Sequence, residues 1–148
     1  MNDNIDPVQR LVDVEAIKQL KARYFRFLDT KRWDDWGMVF ATDVVMEVPE
    51  ADMVNNGRAE VVQTVSAALE GARTVHHGHM PEIEVTGAGT AHGTWAMFDY
   101  LEWPASADGA RVAMNGYGHY IEDYVSEEDG EWRISGTRLV RLRVDPIT

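Results

Sequence analysis

The segment TAHGTWAMFDYLEW, residues 90–103, decides the fold, because its side chains alternate along fourteen residues. A period of two is typical of a β-strand, and fourteen residues make a long one. The same pattern occurs in residues 111–125 and 131–144, and in residues 75–85, where Pro81 is expected to interrupt the pairing. The second half of the chain is therefore predicted to be a meander of four long strands.

The first half of the chain follows a helical period instead. Apolar residues recur at three- and four-residue steps from Asp13, the expected N-cap, to about Thr30, which predicts one buried helical stripe. The other predicted elements are a short helix over residues 33–41, a strand over residues 44–48, a turn at Asn55-Asn56-Gly57, and a third helix over residues 61–69 that Gly71 ends.

Helices followed by long strands predict an α+β fold, with the helices on one face of an antiparallel sheet. Long strands twist and curl. N-terminal helices laid across such a curved sheet are therefore expected to close a cone-shaped pocket, which is a common place for a small-molecule site.

Length and charge restrict the classes of function. The 148 residues are expected to form one domain, residues 1–148, with residues 1–10 as a flexible or packing N-terminal arm. A net charge of −11 argues against nucleic acid or a membrane surface as a partner. No apolar run is long enough to span a membrane, cysteine is absent, and the N-terminus resembles no targeting signal. We therefore expect a cytoplasmic protein.

Asp99 is the clearest candidate for a functional residue, because burying a carboxylate costs free energy unless a partner offsets it. It shares a strand face with the apolar residues Trp95, Met97 and Leu101. Two interpretations are open. The face lines a pocket in which Asp99 acts, or it faces solvent and its tryptophans lie under a helix or a subunit contact.

Three of the five histidines lie in the segment Val75-His76-His77-Gly78-His79. On a strand His77 and His79 share one face and His76 takes the other, so only one of His76 and His77 can enter a pocket. Three interpretations are open: a metal site on His77 and His79, histidines that face solvent, or one histidine that acts as a general base. No metal is expected, because no cysteine and no His-x-x-x-His pattern accompanies the pair.

Four further residues could line the pocket. Tyr24 lies on the helical stripe and Asp29 near the helix end, but ideal geometry places them about 140° apart around the axis. His119 shares a strand face with Tyr117, and Arg141 lies on the last strand. No phosphate-binding glycine loop and no Gly-x-Ser-x-Gly or His-Glu-x-x-His motif occurs, so no cofactor is expected.

Two stretches resemble a known family. The segment AIKQLKARYFRFLD, residues 16–29, followed by Trp33-Asp34, resembles the opening helix of the SnoaL-like group of the nuclear transport factor 2-like superfamily. The segment DGEWRI, residues 129–134, resembles that superfamily's turn and last strand. The resemblance is strongest to the bile-acid 7α-dehydratases and weaker to the scytalone dehydratases. It implies a cone of curved sheet closed by N-terminal helices.

The resemblance also implies site residues. The dehydratase pattern places a tyrosine at Tyr24, a helix-end aspartate at Asp29, a strand aspartate at Asp99 and an arginine at Arg141. Its histidine falls on His76, although the scytalone dehydratases would favour His77. The expected catalytic residues are Tyr24, Asp29, His76 and Asp99; those expected to contact substrate are His77, Trp95, Met97, Tyr117, His119 and Arg141.

These residues suit cofactor-independent removal of a proton next to a carbonyl. His76, oriented by Asp29, would be the base; Tyr24 would donate to the enolate or to the leaving hydroxyl; and Asp99 would be the acid or hold the substrate. The resemblance therefore implies a dehydratase-like lyase acting on a small hydrophobic hydroxy-carbonyl compound, steroid-like or aromatic and polyketide. An isomerase, a polyketide cyclase, a carbon–carbon lyase and a non-catalytic ligand-binding or oxygenase partner subunit are alternatives. A homo-oligomer, either a dimer or a trimer, is expected.

Overall fold

A computed structural model describes residues 5–147, and they form three helices and one six-stranded sheet. The helices are α1 (Pro7–Asp29), α2 (Trp33–Gly37) and α3 (Arg58–Ala68). The strands are β1 (Phe40–Val48), β2 (Met53–Asn56), β3 (Arg73–Gly87), β4 (Thr90–Glu102), β5 (Ala113–Ser126) and β6 (Trp132–Ile147), and a 3-10 turn at Pro49–Ala51 follows β1.

The sheet is curved and open, with the strand order β2-β1-β6-β5-β4-β3. Strands β3 to β6 form the predicted antiparallel meander, and β3 carries an irregularity between His79 and Glu82, at the expected Pro81. The α+β prediction is confirmed, with one difference: β1 pairs with β6 in parallel. The parallel pairing arises because the helices return the chain to the end of the sheet where β6 begins, so Phe40 lies beside Ile134.

Helix α1 begins earlier than the sequence analysis predicted. Asp6 caps it, accepting a hydrogen bond from the Val8 amide at 3.2 Å, and Pro7 occupies the first turn. This is a standard helix start. Residues 7–12 are exposed, and Val8, Leu11 and Val12 recur there at helical spacing without being buried. Residues 7–10 of the expected N-terminal arm belong to this helix, and residues 1–4 lie outside the described residues.

Two short elements also differ from their predicted form. Helix α2 ends at Gly37, and Phe40 and Ala41 already belong to β1. Asn55 and Asn56 end strand β2, and only Gly57, with φ of 87°, turns the chain. Val39 and Phe40 are buried, and a short buried apolar run is compatible with either a helix or a strand.

The core lies between α1 and the concave face of the sheet. The buried residues of α1 include Ile17, Leu20, Tyr24 and Leu28 of the predicted stripe, whereas its fifth member, Phe27, is partly buried. An aromatic cluster joins the helices to the sheet, with Trp36 and Tyr120 at 5.6 and 6.0 Å from the Tyr24 ring. This packing fixes Tyr24 at the point where helix and sheet separate to leave a cavity.

Within residues 5–147 no helix has the length and hydropathy that crossing a membrane requires.

Candidate active site

A cavity of about 230 Å³ lies between α1, α3 and the concave face of the sheet. Its wall is mostly apolar with a smaller set of polar side chains, which is the usual composition of a small-molecule site. The polar residues are Tyr24, Glu47, Thr64, His76, Asp99, Tyr120, Thr137 and Arg141, and the apolar ones include Leu28, Met46, Val65, Leu69, Leu101, Trp103 and Leu139.

His76 and Asp29 form a hydrogen-bonded pair at the cavity wall. The Nδ1 atom of His76 lies 2.6 Å from Oδ1 of Asp29, and the His76 amide donates to Oδ2 at 2.9 Å. The Thr74 hydroxyl also donates to Oδ1, at 2.9 Å, and it receives a hydrogen bond from Lys31 Nζ at 2.7 Å. A carboxylate that accepts from Nδ1–H fixes the tautomer in which Nε2 carries the lone pair. Because His76 lines the cavity, this free nitrogen is available to a substrate.

Tyr24 and Asp29 both serve the site although they lie about 140° apart around the axis of α1. Tyr24 lines the cavity itself, whereas Asp29 reaches β3 from the last residue of the helix and acts on the cavity only through His76. Partial burial raises the pKa of Asp29. Hydrogen bonds and the charge of His76, with the Thr74 hydroxyl, outweigh this effect, so the pKa of Asp29 lies below its ordinary value of 3.8. Asp29 is therefore an ionised partner for His76.

Asp99 is paired with Arg141. The two Asp99 oxygens accept from Nη1 and Nη2 of Arg141 at 2.7 and 2.6 Å, and Nε of Arg141 lies 2.9 Å from Oε1 of Glu50. Desolvation lowers the pKa of Arg141, but the hydrogen bonds and charge of Asp99, with Tyr120 and Glu50, raise it overall. Both oxygens of Asp99 are thus engaged as acceptors. This geometry disagrees with Asp99 as a proton donor and makes it the residue that holds Arg141.

Two glycines on β5 make room for this ion pair. A Cβ at Gly116 would lie 1.9 Å from Nη1 of Arg141 and 2.1 Å from Oδ1 of Asp99. A Cβ at Gly118 would lie 2.0 Å from the Val140 carbonyl oxygen. Real Cβ atoms do not approach other atoms so closely, so the bare backbone of β5 is a requirement of the Arg141 position.

Tyr24 and Tyr120 supply two phenol groups, and a buried ion pair lies behind them. Nζ of Lys21 is 2.5 Å from Oε1 of Glu122, and it lies 3.9 and 3.8 Å from the ring centroids of Tyr24 and Tyr120. Burial first, and then the charge of Glu122, raise the pKa of Tyr24. Burial likewise raises the pKa of Tyr120. Both phenols therefore stay protonated and can donate hydrogen bonds.

Three residues expected to contact substrate lie outside the cavity. His77, Tyr117 and His119 are on the convex face of the sheet, where the His77 ring contacts Phe98 and Phe98 contacts Tyr117. Strand alternation explains this outcome, because His76 and Tyr120, their sequence neighbours, face inward. His76 is therefore the histidine that enters the cavity.

Trp95 and Met97 face inward but belong to the core rather than to the cavity wall. Nε1 of Trp95 donates to the Tyr124 hydroxyl at 2.8 Å. Of the six residues expected to contact substrate, Arg141 is the one that lines the cavity. The interpretation in which the Asp99 face is exposed to solvent is wrong, because Asp99 is fully buried.

Sequence reasoning missed Lys21, Tyr120, Glu122 and Thr137. A signal for each was present: Lys21 lies four residues after Ile17 on the buried stripe, and Tyr120 and Glu122 share a strand face with Tyr124. Thr137, which donates to Glu122 at 3.0 Å, shares a face with Leu139 and Arg141. Within residues 5–147, no three His, Asp or Glu side chains are grouped so that they could hold a metal ion.

The fold and this cavity define an α+β pocket protein with a histidine–aspartate pair at its wall. The chain belongs to the SnoaL-like domain family, whose model matches residues 9–138. It is similar to a variant of Rv3472 from Mycobacterium tuberculosis, a protein of unknown function, with 27% identity, a TM-score of 0.76, and coverage of 95% of this chain and 78% of that one.

Two further solved structures share the fold. One is a candidate scytalone dehydratase from Novosphingobium aromaticivorans, with 20% identity, a TM-score of 0.81, and coverage of 93% of this chain and 89% of that one. The other is the hexachlorocyclohexane dehydrochlorinase LinA-type3 from Novosphingobium barchaimii, with 16% identity, a TM-score of 0.81, and coverage of 97% and 95%. At these identities the likeness shows the fold.

Proposed function

We propose that this protein is a cofactor-independent lyase that removes a proton next to a carbonyl and eliminates a β-hydroxyl as water. The observation that carries the proposal is the hydrogen bond of 2.6 Å between Nδ1 of His76 and Oδ1 of Asp29. It leaves the second ring nitrogen of His76, Nε2, for a ligand in the cavity. A general base held in one tautomer by a carboxylate is the arrangement that proton abstraction requires. A candidate scytalone dehydratase and a dehydrochlorinase are among the structural neighbours, and both names denote elimination reactions, which supports this class of reaction.

The reaction balances within this residue set. Nε2 of His76 takes the proton from the carbon next to the carbonyl, and the electron pair of that C–H bond forms the enolate. The enolate then expels the β-hydroxyl with formation of a carbon–carbon double bond. Protonated His76 returns its proton to the departing oxygen, so that water leaves and the base is regenerated.

The phenols and Arg141 stabilise charge during this sequence. Tyr24 lines the cavity and can donate to the enolate oxygen, Tyr120 lies beside it with its hydroxyl hydrogen-bonded to Tyr24, and Arg141 provides positive charge. One positioned base contributes about 10²–10⁴-fold in rate, and one donor aimed at an oxyanion contributes about 10²–10³-fold. Together these effects amount to a substantial acceleration without any cofactor.

The experiment separates proton abstraction from elimination. A panel of cyclic β-hydroxy ketones is incubated with the protein in D₂O. Exchange of the proton next to the carbonyl is followed by NMR, and enone formation is followed by ultraviolet absorbance. We expect both signals for at least one compound, and His76→Ala is expected to abolish both. Exchange without enone would favour the isomerase or cyclase alternative. The absence of both signals for every compound would contradict the proposal.

The chain provides its own matched controls. His77→Ala removes the histidine that follows His76 and lies on the convex face. Asp123→Asn removes the aspartate that is paired with His92 on the surface. Both variants should keep full activity. A loss of activity in His77→Ala equal to that in His76→Ala would contradict the assignment of His76 as the base.

A further inference from the structure

The charges around the cavity are strongly unbalanced. Five carboxylates and two cations either line the cavity or contact a side chain that does: Asp29, Glu47, Glu50, Asp99 and Glu122, with Lys21 and Arg141. The site therefore carries an excess of negative charge, which Lys31, hydrogen-bonded to Thr74 beside Asp29, reduces but does not remove. Such a field disfavours any ligand that brings another negative charge into an apolar cavity.

Both cations are already neutralised. Arg141 is held by Asp99 through two hydrogen bonds and by Glu50 at 2.9 Å. Lys21 is held by Glu122 and lies behind the two tyrosine rings rather than at the cavity surface. Among the residues that line the cavity, none is a cation free to pair with a carboxylate or phosphate of a ligand.

The cavity is also small. Its volume of about 230 Å³ lies below the range of roughly 300–1,000 Å³ for sites that enclose drug-sized ligands. Tyr24, His76 and Arg141 supply its main hydrogen-bonding groups, and the remaining wall is mostly aliphatic and aromatic, with Glu47, Thr64 and Thr137 as its other polar residues. A ligand of one or two rings with a few polar atoms matches this wall, and four fused rings exceed it.

We infer that the site takes an uncharged hydroxy-ketone of one or two rings and discriminates against carboxylates, phosphate esters and steroids. The reaction part of this inference rests on the proposed function, whereas the selectivity for charge and size is a property of binding. Glu50 is the discriminating residue that can be tested, because its carboxylate is 38% exposed and occupies Nε of Arg141.

The test compares isosteric bicyclic probes by isothermal titration calorimetry at neutral pH. The probes are naphthalene-1-carboxamide, naphthalene-1-carboxylate and a neutral steroid, androstenedione. We expect the amide to bind at least about tenfold more tightly than the carboxylate, since one added charge in a site of low dielectric has an effect of that order or larger. We expect the steroid not to bind. Equal affinities for amide and carboxylate, or tight binding of the steroid, would overturn the inference.

Glu50→Gln sharpens the test. It removes one negative charge and releases Arg141 Nε from its ion pair, so the carboxylate probe should gain about tenfold in affinity while the amide changes less than about twofold. Asp52→Asn is the matched control, because Asp52 is an exposed carboxylate just after the same 3-10 turn. A gain of similar size in Asp52→Asn would show a general effect of protein charge and overturn the role of Glu50.

A third pair of variants shows that the probes bind in this cavity. Ala68 lines the cavity and is exposed, whereas its neighbour Ala67 does not line it. Ala68→Trp should abolish binding of the amide, and Ala67→Trp should leave it unchanged. The inference would be overturned if the amide still bound to Ala68→Trp, or if it bound to neither the unsubstituted protein nor Ala67→Trp. If the probes behave as expected but no β-hydroxy ketone is turned over, the proposed function fails and the binding selectivity stands.

Discussion

Two histidine–aspartate pairs among residues 5–147 have nearly the same geometry, but His76 of one pair lines the cavity described above and the other pair lies on the surface. His76 and Asp29 are 2.6 Å apart, and His92 and Asp123 are 2.8 Å apart, in each case through Nδ1 and Oδ1. The side chains of the inner pair are 7% and 23% exposed, and those of the outer pair are 47% and 70% exposed. A hydrogen-bonded pair of these residue types is therefore not by itself a sign of catalysis.

The surroundings account for the difference. Asp29 also accepts from the His76 amide and the Thr74 hydroxyl, which restricts it to one orientation, and the His76 ring borders an apolar cavity. Water competes for the hydrogen bonds of the outer pair and salt screens its charges, so an exposed pair of this kind contributes little to the stability of the fold. The pair that can act as a base is the one that the fold has desolvated and fixed in orientation.

The largest expected effect comes from removing the inner histidine. His76→Ala should lower kcat/KM for elimination by about 10²–10⁴-fold, because the general base is lost. His92→Ala should leave it within about twofold. Steady-state kinetics on the same substrate measures both variants. Similar losses in the two variants would remove the distinction between the pairs.

The second effect is on stability and depends on pH. Folding lowers the pKa of Asp29, so its ionisation stabilises the folded state at any pH above 3.8, the ordinary pKa of the group. This stabilisation is lost as the pH falls through the lower pKa of the folded state. Asp29→Asn should therefore reduce the free energy of unfolding by about 2 kcal/mol at neutral pH, with a smaller deficit at about pH 3. Urea unfolding at the two pH values measures this. A deficit that stays constant between them would contradict the assignment.

These residues also show how far the sequence leads. The order of the elements follows from the apolar stripe of α1 and from the alternation of the long strands, because both patterns reflect which face is buried. The parallel β1–β6 pair and the end of α2 at Gly37 do not follow, since they depend on contacts between segments far apart in sequence. Helix α1 starts at Pro7 after the Asp6 cap, six residues before the predicted Asp13 cap, and its first turn is exposed.

For the site, four residues could be found by their positions and their likeness to a family, namely Tyr24, Asp29, His76 and Arg141. Alternation alone says that His76 and His77 face opposite ways, but not which of them faces inward. The helix end settles it, because Asp29 binds both the amide and the ring of His76. For Asp99 the sequence leaves a buried and a solvent-facing interpretation open. The structure buries it, and its partner Arg141 decides what it can do.

A smaller effect tests whether the neighbours of the inner pair matter. Thr74→Val removes the hydroxyl that donates to Asp29 and should reduce the free energy of unfolding by about 1 kcal/mol, the usual contribution of one hydrogen bond. Thr42→Val, at an exposed position of β1, controls for the change in strand propensity. Thermal or urea unfolding compares the two, and equal effects would mean that the hydroxyl does not support the pair.

The smallest effect is that of the outer pair. Asp123→Asn should change the free energy of unfolding by less than about 1 kcal/mol, and by less again in 1 M salt, where the screening length is about 3 Å. The deficit of Asp29→Asn should persist in the same buffer, because Asp29 is partly buried and held by several donors. A deficit of Asp29→Asn that vanished in salt would place the two pairs in the same class.

The contact between Gly116 and the Arg141–Asp99 pair limits the order in which substitutions can accumulate in descendants of this sequence. Because a Cβ at position 116 would overlap both charged groups, a side chain can enter there only after residues 99 and 141 have changed. Replacing either of those first would leave a buried charge without its partner, which is strongly destabilising. A lineage that exchanged this arginine for another group would have to pass through a poorly folded intermediate or change several positions together, so we expect the three positions to change together.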